Sequence, residues 1–256
     1  MINFLFIFLG SGLIGIVSSL LGIGGGLLII PFLTLVFGVP IHQAIATSLI
    51  TIIATSSGAA SLYVQQKLAD IRLGITLELA TVSGALIGAF LAGKINSDVL
   101  ALLFSIVLIY VALWMLKKTN NQTAKQTLDY KPQKYPLGFL ISFFAGNISG
   151  LLGIGGGPIK VPAMYLIMQV PLKVATATSN FMIGVTASAS CFLYYFRGEV
   201  NLPLTGVAVL GAFLGATLGS YLMPSVKTEL IRKLFILFLL FLAINMFFKG
   251  IHLNLF

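Results

Sequence analysis

Two near-identical glycine blocks are the residues of this chain best placed to do chemistry: Gly22-Ile23-Gly24-Gly25-Gly26 and Gly153-Ile154-Gly155-Gly156-Gly157. Each interrupts an apolar stretch. Glycine costs about 1 kcal/mol relative to alanine in a helix interior, so a run this dense breaks any helix that reaches it. Pro158 follows the second block at once, and proline suits the first position of a new helix, where its missing N–H is not needed. Helices are therefore expected to begin near Leu27 and Pro158, with their first N–H groups turned toward the glycines. Such ends carry about half a positive charge and attract anions. Gly25 and Gly156, the middle of each three-glycine run, are expected to bring N–H groups against a bound oxyanion, with a left-handed φ that a Cβ would oppose.

The polar residues near these blocks are few. Lys160 sits in the first turn after the second block, at the positive end of that helix dipole, where it is electrostatically disfavoured. Intramembrane charge is costly and commonly functional, so an unpaired cation here suggests an anion-binding role, against the plainer reading of a lysine snorkelling to water. Thr47-Ser48 and Thr178-Ser179-Asn180 open later segments, where their hydroxyls can contact a ligand or equally satisfy helix carbonyls. Glu78, Gln43 and His42 fall near segment ends and are expected to face the interface, although Glu78 is also the one carboxylate clearly within a span and so the one candidate for proton coupling. No role can be argued for His252. The lone Cys191 lies in an apolar stretch and reads as a small buried hydrophobe; it excludes a disulfide framework and a multi-cysteine metal site. No cofactor is expected.

The elements that must position these residues follow from composition. Of 256 residues, 58% are hydrophobic and 8% charged, with a mean hydropathy of +1.07. A soluble domain carries about 25% charged residues; this chain cannot clothe a water-facing surface. A soluble enzyme is excluded, and with it the nucleic-acid reading of the +9 net charge. The fold class is an all-α polytopic membrane protein of about eight segments. Apolar runs lie near 2–21, 27–37, 43–64, 73–93 and 98–116, and again near 137–152, 158–169, 174–196, 202–223 and 231–248. The runs 27–37 and 158–169 are half-helices, since about 17 Å of helix reaches roughly half of a bilayer. The first segment has no positive n-region and no small-residue cleavage site, and is read as retained.

The two sets of runs are one repeat at an offset of 131 residues. The glycine blocks, Pro31 and Pro162, Ala46-Thr47-Ser48 and Ala177-Thr178-Ser179, and Tyr63 and Tyr194 all coincide under that shift. Gly84 and Gly88 map onto Gly215 and Gly219, whose GxxxG spacing reads as helix packing. Packing needs one glycine per turn, not three in succession, so the blocks are read as a site. Lys160 and Asn180 break the symmetry, with Ile29 and Leu49 as partners. The organisation is a first repeat at 1–118, a polar linker at 119–136 and a second repeat at 137–256.

Two threadings compete. If each first segment and its half-helix together span once, there are eight spans and parallel repeats, with Lys and Arg divided nine against five. If they fold back as a re-entrant hairpin, each half crosses three times, the repeats are inverted, and the division is eleven against three with Lys160 left inside. The positive-inside rule favours the hairpin, while the length of 2–21 favours a full crossing; the balance tips to inversion. Both put the linker in the cytoplasm.

The blocks GIGGGLLIIPFL and GIGGGPIKVPAM, each followed by an Ala-Thr-Ser stretch, resemble the sulfite exporter TauE/SafE family over essentially the whole chain. The resemblance implies a permease of small anions such as sulfite, sulfonates or other organosulfur compounds in the bacterial inner membrane. It carries the family motif onto Gly22, Gly24, Gly25, Gly26, Pro31, Thr47 and Ser48, and onto Gly153, Gly155, Gly156, Gly157, Pro162, Thr178 and Ser179. The expected partners are thus a small organosulfur anion and the lipid bilayer, with a proton as a candidate coupling ion. Two other classes stand beside this reading. An anion channel is separated from a carrier by whether flux saturates. An intramembrane serine hydrolase built on Asn147-Ile148-Ser149-Gly150 lacks a histidine within a span to act as base, and no enzyme is expected.

Overall fold

The computed structural model describes residues 4–21, 24–116, 130–222 and 228–251, and every described element is helical. In the first half these are α1 (Phe4–Leu21), α2 (Gly26–Pro31), α3 (Ile41–Gln65), α4 (Ile71–Ala92) and α5 (Ser97–Leu116). In the second they are α6 (Tyr135–Leu152), α7 (Gly157–Pro162), α8 (Leu172–Phe196), α9 (Leu202–Leu222) and α10 (Thr228–Gly250). Nearly every bound in the second set lies 131 residues after its counterpart in the first. α6 begins two residues earlier than the end of the polar linker suggests, with Pro136 in its first turn.

Local sequence explains the boundaries. Asp70 caps α4 by accepting from the Leu73 N–H at 2.9 Å, and Asn201 caps α9 in the same way from Leu204 at 3.2 Å. Gly153, at φ +66°, ends α6, and its N–H donates to the Ser149 carbonyl at 2.7 Å. α2 and α7 start at Gly26 and Gly157, within a residue of expectation. Each runs into a proline, which has no N–H to give and crowds the preceding turn. Each continues as a five-residue π-helical stretch, Phe32–Val36 and Ala163–Ile167.

Helix directions follow from close contacts. An added Cβ at Gly211, Gly215 or Gly219 would strike the Phe8, Gly12 or Ile16 carbonyl. Residue numbers rise together, so α1 and α9 run parallel. The same holds for α4 and α6: Gly146 abuts Thr81, Gly150 abuts Ala85, and Gly88 abuts Asn147. The Gln133 N–H donates to the Met168 carbonyl at 3.0 Å, so the π-helical stretch after α7 ends beside the start of α6. In the first half, the Phe32 ring likewise lies against Gly10, early in α1. Each first helix and its short successor therefore form a hairpin that returns to the face it entered. From the linker face, α6 and α7 go in and back, α8 crosses, and α9 comes back. α9 then opposes α6, and α1, parallel to α9, also opposes α6. The two halves run through the layer in opposite senses.

Both faces are tied across the halves. At the linker face, the Asp70 N–H donates to Thr178 Oγ1 at 2.9 Å, and Tyr130 Oη donates to Asp70 Oδ2 at 2.7 Å. Burial and that carboxylate both push the Tyr130 phenol up. At the far face, Arg197 Nη1 donates to the Ala89 carbonyl at 2.6 Å and Lys249 Nζ to the Thr34 carbonyl at 2.8 Å. α3 and α8 pack together at the centre, around Ile45, Leu49, Ile52 and Ile183. Large apolar side chains such as Leu79, Phe90, Leu113 and Leu210 point outward, as a lipid-facing surface requires. Among the described residues, α3, α4, α5, α6 and residues 202–219 of α9 are long and apolar enough to cross a membrane; 4–19, 26–36 and 236–250 are shorter apolar helices. The chain is an all-α polytopic membrane protein.

Candidate functional site

The two glycine segments meet at the centre of the fold. A Cβ on Gly26 would press on the Gly153 carbonyl at 2.6 Å, on Ile52 Cδ1 at 2.7 Å and on Ser48 Oγ at 2.9 Å. Ser48 Oγ donates to that same Gly153 carbonyl at 2.8 Å, so a side chain of α3 satisfies a carbonyl freed where α6 ends. Ile183 covers the other side, 2.6 Å from where a Cβ would stand on Gly155 or Gly157. Ile52 and Ile183 are themselves partners under the repeat offset. They lie over the two broken segments like a pair of lids.

A cavity of about 280 Å³ reaches this centre from the linker face, between α1, α3 and α9. Its walls include Ser18, Gly24, Gly25, Thr55, Tyr63 and Asn180. That is room for several waters, each taking about 30 Å³, or for a small hydrated anion. Gly24 and Gly25 put the start of α2 on the cavity surface. The repeat partners of Ser18, Thr55 and Tyr63 are Ser149, Thr186 and Tyr194, and all three have no exposed surface. Tyr194 Oη donates to the Gly150 carbonyl at 2.9 Å, and the Arg197 guanidinium lies 4.2 Å from its ring centre. The linker side of the centre is open; its counterpart on the far side is shut.

Lys160 is not the unpaired cation that its sequence position suggests. Its Nζ donates to Thr186 Oγ1 at 3.0 Å, Thr186 Oγ1 donates to Glu78 Oε1 at 2.6 Å, and Nζ stands 3.6 Å from Glu78 Oε2. The lysine is 1% exposed. Glu78 does not face the interface as expected but is buried on the inner side of α4, beside α8. The reason is electrostatic: each charge alone in an apolar interior would cost several kcal/mol, and pairing with a shared hydroxyl offsets that cost. Each of the two also breaks the repeat, since Lys160 replaces Ile29 and Glu78 replaces Val209. Two lone, opposite, symmetry-breaking charges in an apolar chain were the signal for this pair.

The remaining expected site residues divide by what they touch. Gly22 lies outside the described residues. Gly24 (φ +73°) and Gly25 line the cavity, but Gly25 has φ −62° and is not left-handed as expected: it already belongs to the right-handed turn entering α2. Gly156 is left-handed at +75°, and a Cβ there would stand 2.9 Å from Lys160 Cε. Gly153, Gly155 and Gly157 are packed against isoleucines rather than open to the cavity. Thr47 Oγ1 lies 3.0 Å from Thr205 Oγ1 and joins α3 to α9, as Thr178 joins α8 to the start of α4. Asn180 lines the cavity while its amide donates to the Thr176 carbonyl at 3.0 Å. Ser179 Oγ is buried without a hydrogen-bond partner among the described residues. Tyr63 and Thr186 carry no charge and no unusual spacing, and sequence reasoning passed over both as site residues. Among the described residues, no three His, Cys, Asp or Glu side chains converge on a metal position.

The family model for the sulfite exporter TauE/SafE matches residues 7–246. The chain is 31% identical to the "Probable membrane transporter protein YunE" of Bacillus subtilis, over 93% of this chain and 94% of that relative. It is 30% identical to the "Probable membrane transporter protein YdhB" of the same organism, over 84% and 89%. A "Probable membrane transporter protein" of Haemophilus influenzae is also 30% identical, over 93% and 96%. No solved structure matches the chain. With its broken helices meeting at the centre and this match over nearly its full length, the chain belongs to the TauE/SafE family of membrane transporters.

Proposed function

We propose that this transporter carries small oxyanions of the sulfite, sulfonate or related organosulfur class across the bacterial inner membrane by alternating access. The observation that carries this reading is the cavity that runs from the linker face to Gly24 and Gly25 at the start of α2. Helix geometry leaves the first N–H groups of α2 without acceptors of their own helix, and the dipole favours negative charge there. Broken helices at mid-membrane, drawn from halves of opposite sense, are the architecture in which transporters hold substrate. The positive-inside rule makes the linker face cytoplasmic: eleven Lys and Arg flank it against three on the far face, Lys94, Arg197 and Lys249. The cavity is then an inward-facing vestibule.

Flux into proteoliposomes tests the reading, with sulfite, sulfate, thiosulfate, taurine and sulfoacetate as probes. Saturable uptake and counterflow of at least one anion are expected. An added Cβ at Gly25 meets only Ile29 Cδ1, at an ordinary 3.5 Å, so Gly25→Ala keeps the fold. Its methyl crowds an anion off the N–H groups, and flux falls about tenfold, equivalent to about 1.4 kcal/mol. Flux that rises linearly without saturation indicates a channel. Failure of every probe to move removes the anion reading.

A further inference from the structure

The cavity and the charged cluster have different addresses. The cavity touches the start of α2 in the first half; Lys160, Thr186 and Glu78 lie buried where α7, α8 and α4 meet. Shifted by 131 residues, the cavity walls Gly25, Thr55 and Tyr63 become Gly156, Thr186 and Tyr194. The cluster therefore occupies the place where a second vestibule would form if the far side opened as the linker side has.

One atom of this cluster is unfinished. Glu78 Oε1 accepts from Thr186, while Oε2 is buried, has no hydrogen-bond partner among the described residues, and stands 3.6 Å from the lysine charge. Few other groups can influence it. α6 carries only Tyr135, in its first turn; α8 carries Lys173 near the linker face and Cys191, Tyr194 and Tyr195 toward the far face. Among the described residues, Lys160 is the one charged group on a neighbouring element that reaches Glu78.

Resting on the anion-carrier reading, we propose that Glu78 is the proton-coupling site of the transporter and that Lys160 is shared between Glu78 and the substrate. In the empty carrier Lys160 pairs with ionised Glu78. When a proton from water binds Oε2, the lysine is released and pairs instead with a monovalent anion. Either way the site is neutral. The two mixed states, an anion with ionised Glu78 or protonated Glu78 without an anion, each leave a buried charge without its partner and are disfavoured. Anion and proton must then cross together, one for one, because only balanced states can be occluded. Thr186 positions the pair: it accepts from the lysine and donates to the carboxylate.

The test compares wild type with Glu78→Gln, using sulfite in proteoliposomes with and without an imposed pH gradient. In wild type the gradient drives accumulation. In Glu78→Gln, accumulation falls at least about tenfold, while counterflow, which needs no net proton movement, is retained. A second readout is thermal melting in detergent. Glu78→Gln melts lower than wild type because its lysine is unpartnered, and sulfite raises its melting temperature more than that of wild type. Should Glu78→Gln prove too unstable to purify, Glu78→Gln with Lys160→Met removes both charges; it should fold and show no gradient-driven accumulation. Gradient-driven accumulation equal to wild type in either variant overturns the proposal and leaves the anion carrier standing. Absence of flux for every anion probe in wild type removes the carrier reading, and this inference with it.

Discussion

Where one place in the fold holds Lys160, Thr186 and Glu78, its counterpart under the 131-residue offset holds Ile29, Thr55 and Val209. The helices around the two places, α2 with α7, α3 with α8 and α4 with α9, match in length to within a residue, and the breaks fall at matching glycine blocks. The side chains differ most, and they differ in the most expensive currency a membrane interior has, net charge. The apolar place lies beside an open cavity and the charged place is sealed. A shared scaffold thus supplies the broken helices twice, while the charge is supplied once. Under the alternating access proposed above, the matching scaffold is what would rock, and the unequal side chains are what would couple that motion to cargo.

The comparison can be broken most severely at the charges. Lys160→Ala strands Glu78 in the interior and should lower stability by about 3–5 kcal/mol, read from denaturant or thermal unfolding in detergent. Writing the apolar place's residues into the charged one, Lys160→Ile with Glu78→Val, should recover most of that loss and still abolish transport. A double variant no more stable than Lys160→Ala alone would mean that the pair is not the unit of stability described here.

The glycine pairs are where the halves should behave alike. Cβ atoms at Gly84 and Gly215 would run into the Phe143 and Gly12 carbonyls on the facing helices. Gly84→Ala and Gly215→Ala should each cost about 1–3 kcal/mol through overpacking, with flux falling only as the folded fraction falls. Melting curves and flux on the two variants check this. A loss of flux in either variant without loss of stability would place that helix contact within the transport path.

The smallest effect sharpens the contrast between open and shut. Ala59 and Ser190 are partners under the offset; Ala59 lines the cavity and Ser190 is buried. With Cys191 replaced by alanine, Ala59→Cys should react with a water-soluble maleimide added at the linker face, and Ser190→Cys should stay protected. Tyr194→Phe removes the hydrogen bonds to Gly150 and Leu151, worth about 1 kcal/mol. It should speed labelling of Ser190→Cys from the far face, whereas Tyr63→Phe should not. Equal labelling of both cysteines in the parent would show that the far side is not shut.

Much of this was legible in the residues because glycine and proline act locally. The breaks before α2 and α7, the starts within a residue of Leu27 and Pro158, and the GxxxG contacts all follow from the backbone's own preferences. The hairpin was harder, since length and charge argued against each other. It became visible only through Gln133 reaching Met168 and through which glycine abuts which carbonyl. The charge pair was hardest. In the sequence Lys160 stands out and Glu78 reads as an interface residue, because their meeting depends on how α4 packs against α8, which no local pattern encodes. Gly25 shows the same limit on a smaller scale: its type suggests a left-handed turn, but its φ was set by the helix it enters.

The tight glycine contacts have a consequence for how the chain can be divided. Each close pair, α1 with α9 and α4 with α6, takes one helix from each half. Neither half therefore owns a finished surface: alone, it would present grooves of bare carbonyls and glycines to lipid. The linker joins two strings of helices but separates no folding units. A gene cut within the linker codon run should yield two fragments that are each degraded when made alone and that reconstitute one carrier when made together. For the same reason an ancestral single-length chain with these glycines would have been stable only as an antiparallel pair of copies.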